Sequence, residues 1–484
     1  MNVNEYLNKQ KQTSYMKALK IIMLACLVLL FPAARATEYF VSVAGNDNNN
    51  GTKTSPFLSI FKASETAMPG DTVTILGGEY ELQNQFRPVR SGTPDKWILY
   101  RAAPNEHVVF DGSLIKKVVK KGDSVQFSRL TEGLFQIEKV NYLRFKNIEV
   151  RNSDAAGFIV RGPECKKIEL IGCKSHQTHN SGIGLWYCDS VLVSHCEITA
   201  ANDNSDQYFE PGQRKGGEAP HEALSICGAR YFEVANNHVH HCFKEGIDCK
   251  EVSQHGVIHN NLVHDVPRQA YYADAWFGLL QDVEFHSNTA YNCMWGFAIS
   301  VEGKGSELKN IRFHHNLIYN MKGAGVLFGM WGDNLLRSDI YIYNNTFYHC
   351  GSPQVFSGGV GSINILSKNF RDVYIYRNIC DKGWDYEMGF TFTPDEVENA
   401  LKERNFVAAE NLFEGAKNRP GRIGQFDVFV YEYLPPQNQM GAPLYRNELA
   451  FDFVPEKIPE VISTGIKWKY EPSPWFGAFK PVEN

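Results

Sequence analysis

Residues 256–264 read GVIHNNLVH, residues 283–291 read VEFHSNTAY and residues 311–319 read IRFHHNLIY. In each, a short alternating strand ends on polar residues that include an asparagine, and a second short strand follows. Outward from these, the pattern recurs as LRFKNIEV (143–150), IELIGCKS (168–175), VLVSHCEI (191–198) and FEVANNHVH (232–240) on one side. On the other it recurs as IYIYNNTFY (340–348) and VYIYRNICD (373–381). With Asn147, Cys173, Cys196, Asn237, Asn261, Asn288, Asn316, Asn345 and Asn378 as anchors, the spacings are 26, 23, 41, 24, 27, 28, 29 and 33 residues. A period in the mid-twenties with one anchor per turn predicts the coils of a parallel β-helix. Each coil would supply about three short strands stacked ~4.8 Å above the last. Asparagine suits the anchor because it tolerates a left-handed turn and its amide can bond the amide above. The segments are too short and too regularly alternating for helical repeats.

A second ladder keeps the same order: SGIGLW, HEALSI, EGIDCK, QAYYADAW, WGFAISVEG and AGVLFGMW, between residues 181 and 331. The 41-residue step holds NDNSDQYFEPGQRKGGEAPH (202–221), a polar Gly-rich loop. Loops that leave a solenoid on one side commonly build its binding face. Residues 39–82 read as strand, Asn/Gly loop, short helix SIFKASETA (59–67), PGD turn and strand, with the helix expected to plug the first coil. After Cys380 the pattern weakens through TPDEVENALKERNF (393–406), a predicted helix, into irregular apolar strands expected to cover the open end. The fold is thus predicted to be all-β, a single-stranded right-handed parallel β-helix with an N-terminal capping segment. It divides into a signal peptide (1–36), cap and first coils (37–112), the β-helix (113–380), and C-terminal coils and cap (381–484).

The signal peptide rests on Lys17 and Lys20, the apolar run from Ile21 to Phe31 and the small-residue site Ala34-Arg35-Ala36. The run is too short to span a bilayer, and it continues past Cys26, which speaks against lipoprotein anchoring there. Export to the periplasm or beyond is expected, with no membrane span and a monomer. The chain carries a formal net charge of −5. Residues 1–36 hold five of its basic groups and one acid, so residues 37–484 are more acidic still. That excludes the basic surface nucleic-acid binding needs. Cys173 and Cys196 take anchor positions, while Cys242, Cys293, Cys350 and Cys380 fall just after anchor strands. They are expected to be buried thiols, and no CxxC pair suggests zinc.

The elements GNDNNNGTKTSPF (45–57), the short helix and PGDTVTILGGEYEL (69–82) resemble the entry segment of secreted bacterial β-helix carbohydrate enzymes. These form the pectate-lyase-like superfamily, and include family 9 polysaccharide lyases and β-helix glycoside hydrolases. The resemblance implies a pectin-lyase-like solenoid that acts on carbohydrate. The chain lacks the aspartate cluster that holds calcium in family 9 lyases and their Gly-Phe-Lys base motif. One coil, EGIDCKEVSQHGVIHNNLV (245–263), is similar to the family 6 lyase coil with acidic calcium ligands and a base lysine. That likeness puts Lys250 at the base position; where family 6 has an arginine one coil later, this chain has Asp274.

The second ladder also locates candidate chemistry. If Gly246, Ala270, Gly296 and Gly325 are equivalent, then Lys250, Asp274 and Ser300 stack four residues on, and Trp276, Glu302 and Trp331 two further. Even offsets put them on one strand face, with Asp248 in the same alternation and Glu222, beside His221, one coil earlier. Acids and a lysine between tryptophans suit sugar binding, because aromatic faces stack on pyranose rings while polar groups fix hydroxyls. Two mechanisms fit. In a lyase acting on a uronate-containing glycan, Lys250 would be a base with its pKa lowered by desolvation. Glu245, Asp248 and Asp274 would then be oxygen ligands for calcium. In a hydrolase, Asp274 and Glu302 would flank the glycosidic bond. A non-catalytic carbohydrate-binding β-helix is a third reading. The histidines read mostly as turn residues, with His264 and Arg268 before the Asp274 strand picked out as substrate-binding candidates alongside His221, Glu222, Trp276 and Trp331. The expected substrate is a polysaccharide or oligosaccharide.

Overall fold

The computed structural model describes residue 16 and residues 36–115, 132–203, 221–352, 361–384, 386–414, 421–423 and 438–482. The segment read as a signal peptide lies outside these except for Met16 and Ala36, as does the 202–221 loop apart from its ends. The described residues coil into a right-handed parallel β-helix with two 13-stranded sheets and one of 11 strands, plus a two-stranded antiparallel hairpin. Each coil contributes one strand to each sheet in turn. The coil of Gln254–His259, Leu262–His264 and Gln269–Ala275 pairs in parallel with the coil of Leu279–His286, Thr289–Tyr291 and Trp295–Val301.

Alternation within strands sets the inside. Ile258, Val263, Tyr271 and Ala273 are fully buried and join one cluster with their counterparts above and below. Aromatic rings also stack across the core, as Phe297 of the 11-stranded sheet does on Phe313 of a 13-stranded sheet, with centroids 4.2 Å apart and planes at 2°. The short helix Ile60–Thr66 buries Ile60, Ala63 and Ser64 over the first coils, where Ser64 Oγ accepts from the Tyr100 hydroxyl at 3.1 Å.

The anchor asparagines do stack, with a change of role and register. Each Oδ1 accepts from the backbone N–H and Nδ2 of the preceding anchor, from Asn237 through Asn261, Asn288, Asn316 and Asn345 to Asn378 at 2.9–3.0 Å. The left-handed residue is instead the one before: Asn236, Asn260, Ser287, His315, Asn344 and Arg377. Asn147 is therefore one residue out of register as an anchor. It takes the left-handed position, in register with Gly172, and Ile148 stands beneath Cys173. The cysteines substitute for asparagine: Cys196 Sγ donates to Leu170 O and Cys173 Sγ to Phe145 O, at 3.5 and 3.6 Å, as Asn237 Nδ2 does to Val193 O at 3.0 Å. All ten described cysteines are free and buried.

The ladder also runs past residue 380. The helix Pro394–Glu403 forms as the sequence suggested, but it interrupts a coil rather than ending the solenoid. Phe406–Ala409, Leu412–Phe413 and Gln439–Met440 add strands, and Asn411 and Asn438 add rungs. The chain after Met440 lies along the outside of the sheets, through the hairpin Leu444–Asn447 and Asp452–Lys457 and the stretch 464–477.

Candidate active site

The 11-stranded sheet carries a cleft of about 810 Å³ over the strands Leu224–Cys227, Ile247–Glu251, Gln269–Ala275 and Trp295–Val301. Register explains it. Lys250 pairs with Asp274 and Asp274 with Ser300, while Asp248 pairs with Tyr272. Since Cys249, Ala273 and Ile299 turn into the core, these alternate residues must turn out. His221, Glu222, Glu245, Asp248, Lys250, Arg268, Asp274, Trp276, Glu302 and Trp331 all line the cleft.

His264 does not. It ends the strand Leu262–His264 in the second sheet, on a different flank, where it contacts His238 and Asp265. The chain rounds a corner at Asp265, which has a left-handed φ of 52°, before reaching the cleft strand at Gln269.

Sequence reasoning missed Lys244, Glu251, Phe277 and Trp295 as further lining groups, and above all Tyr272. Tyr272 occupies the Asp248 register, so the alternation that found Asp248 could have found it. Its hydroxyl donates to Glu302 Oε1.

The electrostatics differ from the expectation for Lys250. Its ammonium sits 2.8 and 2.9 Å from the two Glu222 carboxylate oxygens, and both side chains are buried. Burial works against the charge, but Glu222 and Asp248 outweigh it and hold Lys250 above the ordinary lysine value. Glu222 is likewise held well below the carboxylate range: burial opposes ionisation, and the Lys250 and Lys244 ammoniums overcome it. The lowered lysine pKa that a base would need is thus not found; Lys250 is a charged partner of Glu222.

Asp274, Asp248 and Glu302 go the other way. Burial first, then Glu302, lifts Asp274 well above its usual value, against the Trp276 Nε1–H donated to its Oδ2 at 2.7 Å. Burial lifts Asp248, with Glu222 adding to it, and burial lifts Glu302 against the Tyr272 hydrogen bond. Asp248 Oδ1 and Asp274 Oδ1 are buried and accept no hydrogen bond among the described residues. As calcium ligands these residues fit poorly. Arg268 holds Glu245 Oε1 at 3.0 Å, and Glu245, Asp248 and Asp274 do not form a group of donor atoms within ligand reach of one another.

The comparisons with known proteins follow the architecture. Residues 39–265 match the family model described as Pel9A-like, right handed beta helix region. The matched span includes Glu222, Glu245, Asp248 and Lys250 and ends before Asp274 and Glu302. Pectate lyase PEL9 of Emericella nidulans is 30% identical over 123 residues, which cover 25% of this chain and 30% of that protein's length. The Bacillus subtilis protein YwoF is 25% identical over 460 residues, covering 86% of this chain and 90% of its own. The crystal structure of pectate lyase Pel9A superposes with a TM-score of 0.50 at 13% identity, covering 93% of this chain and 97% of that one. At that identity the likeness is one of fold, an architecture used by carbohydrate-active enzymes. Among the described residues no helix is long and apolar enough to cross a membrane.

Proposed function

We propose that this protein is an exported carbohydrate-active enzyme that hydrolyses glycosidic bonds, with Asp274 and Glu302 as its carboxylate pair. The observation that carries this reading is their coupling. Two acids from adjacent strands are lifted together, with Glu302 the largest charged influence on Asp274. Of two carboxylates that influence each other in this way, the first to ionise keeps the proton on the second, which gives one ionised and one protonated group between their two steps. Glycoside hydrolysis needs that combination. The Tyr272 hydroxyl and the Lys250 ammonium both favour charge on Glu302, so Glu302 attacks the anomeric carbon or activates water. Asp274, lifted further, gives its proton to the departing glycosidic oxygen. Trp276, Trp295 and Trp331 offer apolar faces for sugar rings.

β-Elimination is the second reading, favoured by the pectate-lyase relatives. It requires a base other than the Glu222-bound Lys250 as the cleft now stands. A polysaccharide panel read for both reducing ends and unsaturated uronates separates the two.

On the substrate so found, Asp274→Asn is expected to lose about 10²-fold or more in kcat/KM with Tm unchanged or slightly raised, since a poorly solvated acid is removed. Asp274→Ala should retain far more activity on aryl glycosides with acidic leaving groups than on natural linkages, because those groups depart without a proton. An Asp274→Asn variant with full activity, or products that carry unsaturated uronates, would overturn the hydrolase reading.

A further inference from the structure

The second sheet carries a histidine cluster that the cleft chemistry does not use. His238 and His240 lie on the strand His238–His240, and His264 stands in register with His240 one coil on. Val239 and Val263 point into the core, so the three imidazoles project outward. His238 Nε2 lies 2.7 Å from His264 Nε2, and one ring nitrogen from each of the three falls within 4.8 Å of the others.

This arrangement differs from the other histidine ladder. His259, His286 and His314 stack face to face up the first sheet at 4.9 and 5.3 Å, and they form no such convergent group. In the cluster, His264 is oriented. Asp265 Oδ2 lies 2.7 Å from His264 Nδ1, and a carboxylate is an acceptor, so Nδ1 carries the proton. The lone pair of His264 therefore sits on Nε2, the atom facing His238. A carboxylate that fixes the far nitrogen of a histidine in this way is the usual companion of a metal-bound imidazole. Tyr291 stacks on His264 at 4.5 Å and closes one side. On the coil before, Glu197 Oε1 lies 3.4 Å from His240 Nε2, but its Oε2 is 2.6 Å from Lys174 Nζ and it stays outside the convergent group.

We infer that His238, His240 and His264 bind a divalent transition-metal ion, with zinc as the best match and Asp265 as the residue that orients His264. Three imidazoles with water in the fourth position are a donor set of four-coordinate zinc, whereas calcium and magnesium select oxygen. The bound ion would pin consecutive coils of the second sheet together. It would also sit just before Arg268, whose guanidinium holds Glu245 in the cleft wall. The inference does not depend on the hydrolase reading.

The test uses the full chain without an affinity tag, stripped of metal and titrated with zinc chloride near neutral pH. One equivalent should bind with micromolar or tighter Kd. His264→Gln and, on the more accessible side of the cluster, His238→Gln should each weaken binding by ~100-fold, and Asp265→Asn by about 10-fold, as expected for loss of an orienting partner. His286→Gln, in the other ladder, should bind as the parent does. Zinc at about 100 times Kd should raise the Tm of the parent and of His286→Gln, but not of His238→Gln. Substoichiometric zinc, or affinity that His238→Gln and His264→Gln leave unchanged, would overturn the site.

Discussion

At the scale of single residues, the buried pair Lys250–Glu222 separates a chemical from a structural lysine. Both groups are out of water and satisfy each other, so removing one strands the other charge. Lys250→Met is expected to cost about 3–5 kcal/mol in urea unfolding, and adding Glu222→Gln should recover most of it. A catalytic base would show the reverse, with activity abolished and stability kept. The sequence alone made Lys250, Asp274, Trp276, Glu302 and Trp331 neighbours, because stacking on a solenoid turns residue spacing into spatial register. It could not show that Lys250 is paired with Glu222. That contact joins side chains 28 residues apart, whereas register pairs Lys250 with Cys227, so its geometry depends on rotamers rather than on register. His264 was misplaced for a related reason: spacing says how far a residue is from the next strand, not on which side of a corner it falls.

At the scale of elements, the asparagine rungs made the coils legible, and an inserted helix hid the last ones. Asn411 and Asn438 continue the ladder. Their spacings, 33 and 27 residues, fall within the range of the earlier coils, but the helix Pro394–Glu403 inside the first of these coils obscured the pattern. The strands of this region also bury acids. Glu387, in Tyr386–Phe390, accepts from Ser362 Oγ at 2.6 Å and Gly383 N at 2.8 Å, yet burial pushes it up to about 8. Asp381 is pushed up to about 7, by burial and then by Glu414. With folded pKa values above the unfolded ones, the native state keeps protons that the unfolded chain releases. Stability therefore falls as pH rises, from the ordinary carboxylate value of 4.5 to about 8 for Glu387. Glu387→Gln is expected to flatten the Tm decline across that window relative to the parent. Parallel Tm–pH curves for the two proteins would assign the decline to other groups.

At the scale of the whole molecule, a solenoid's coils touch only their neighbours, so cooperativity along it must be built from nearest-neighbour terms. The C-terminal stretch adds contacts of another kind. Tyr470 donates to Asn310 Oδ1 at 2.8 Å, Ser473 Oγ meets His315 Nε2 at 2.7 Å, Asn344 donates to Trp475 O at 2.7 Å, and Arg377 donates to Ser473 O at 3.1 Å. Thr464 N–H donates to Glu410 at 2.6 Å, and Trp468 lies flat on Tyr376 at 4.0 Å. One segment thus ties four consecutive coils together along their outer face. The expectation that it would cover the open end missed this, because its aromatic residues announce burial without saying against what. The cleft acids Asp274 and Glu302 precede every one of those coils. Deleting residues 442–484 is therefore expected to divide the molecule energetically. Amide exchange should rise in residues 307–414, and thermal unfolding should split into an early and a late transition. Protection of the 247–301 strands, and activity on the cleft's substrate, should persist. Truncated protein that still melts in a single transition, or that loses protection evenly from end to end, would mean that coil-to-coil stacking alone makes the solenoid cooperative and that the segment is only a cover for Tyr343 and Tyr376.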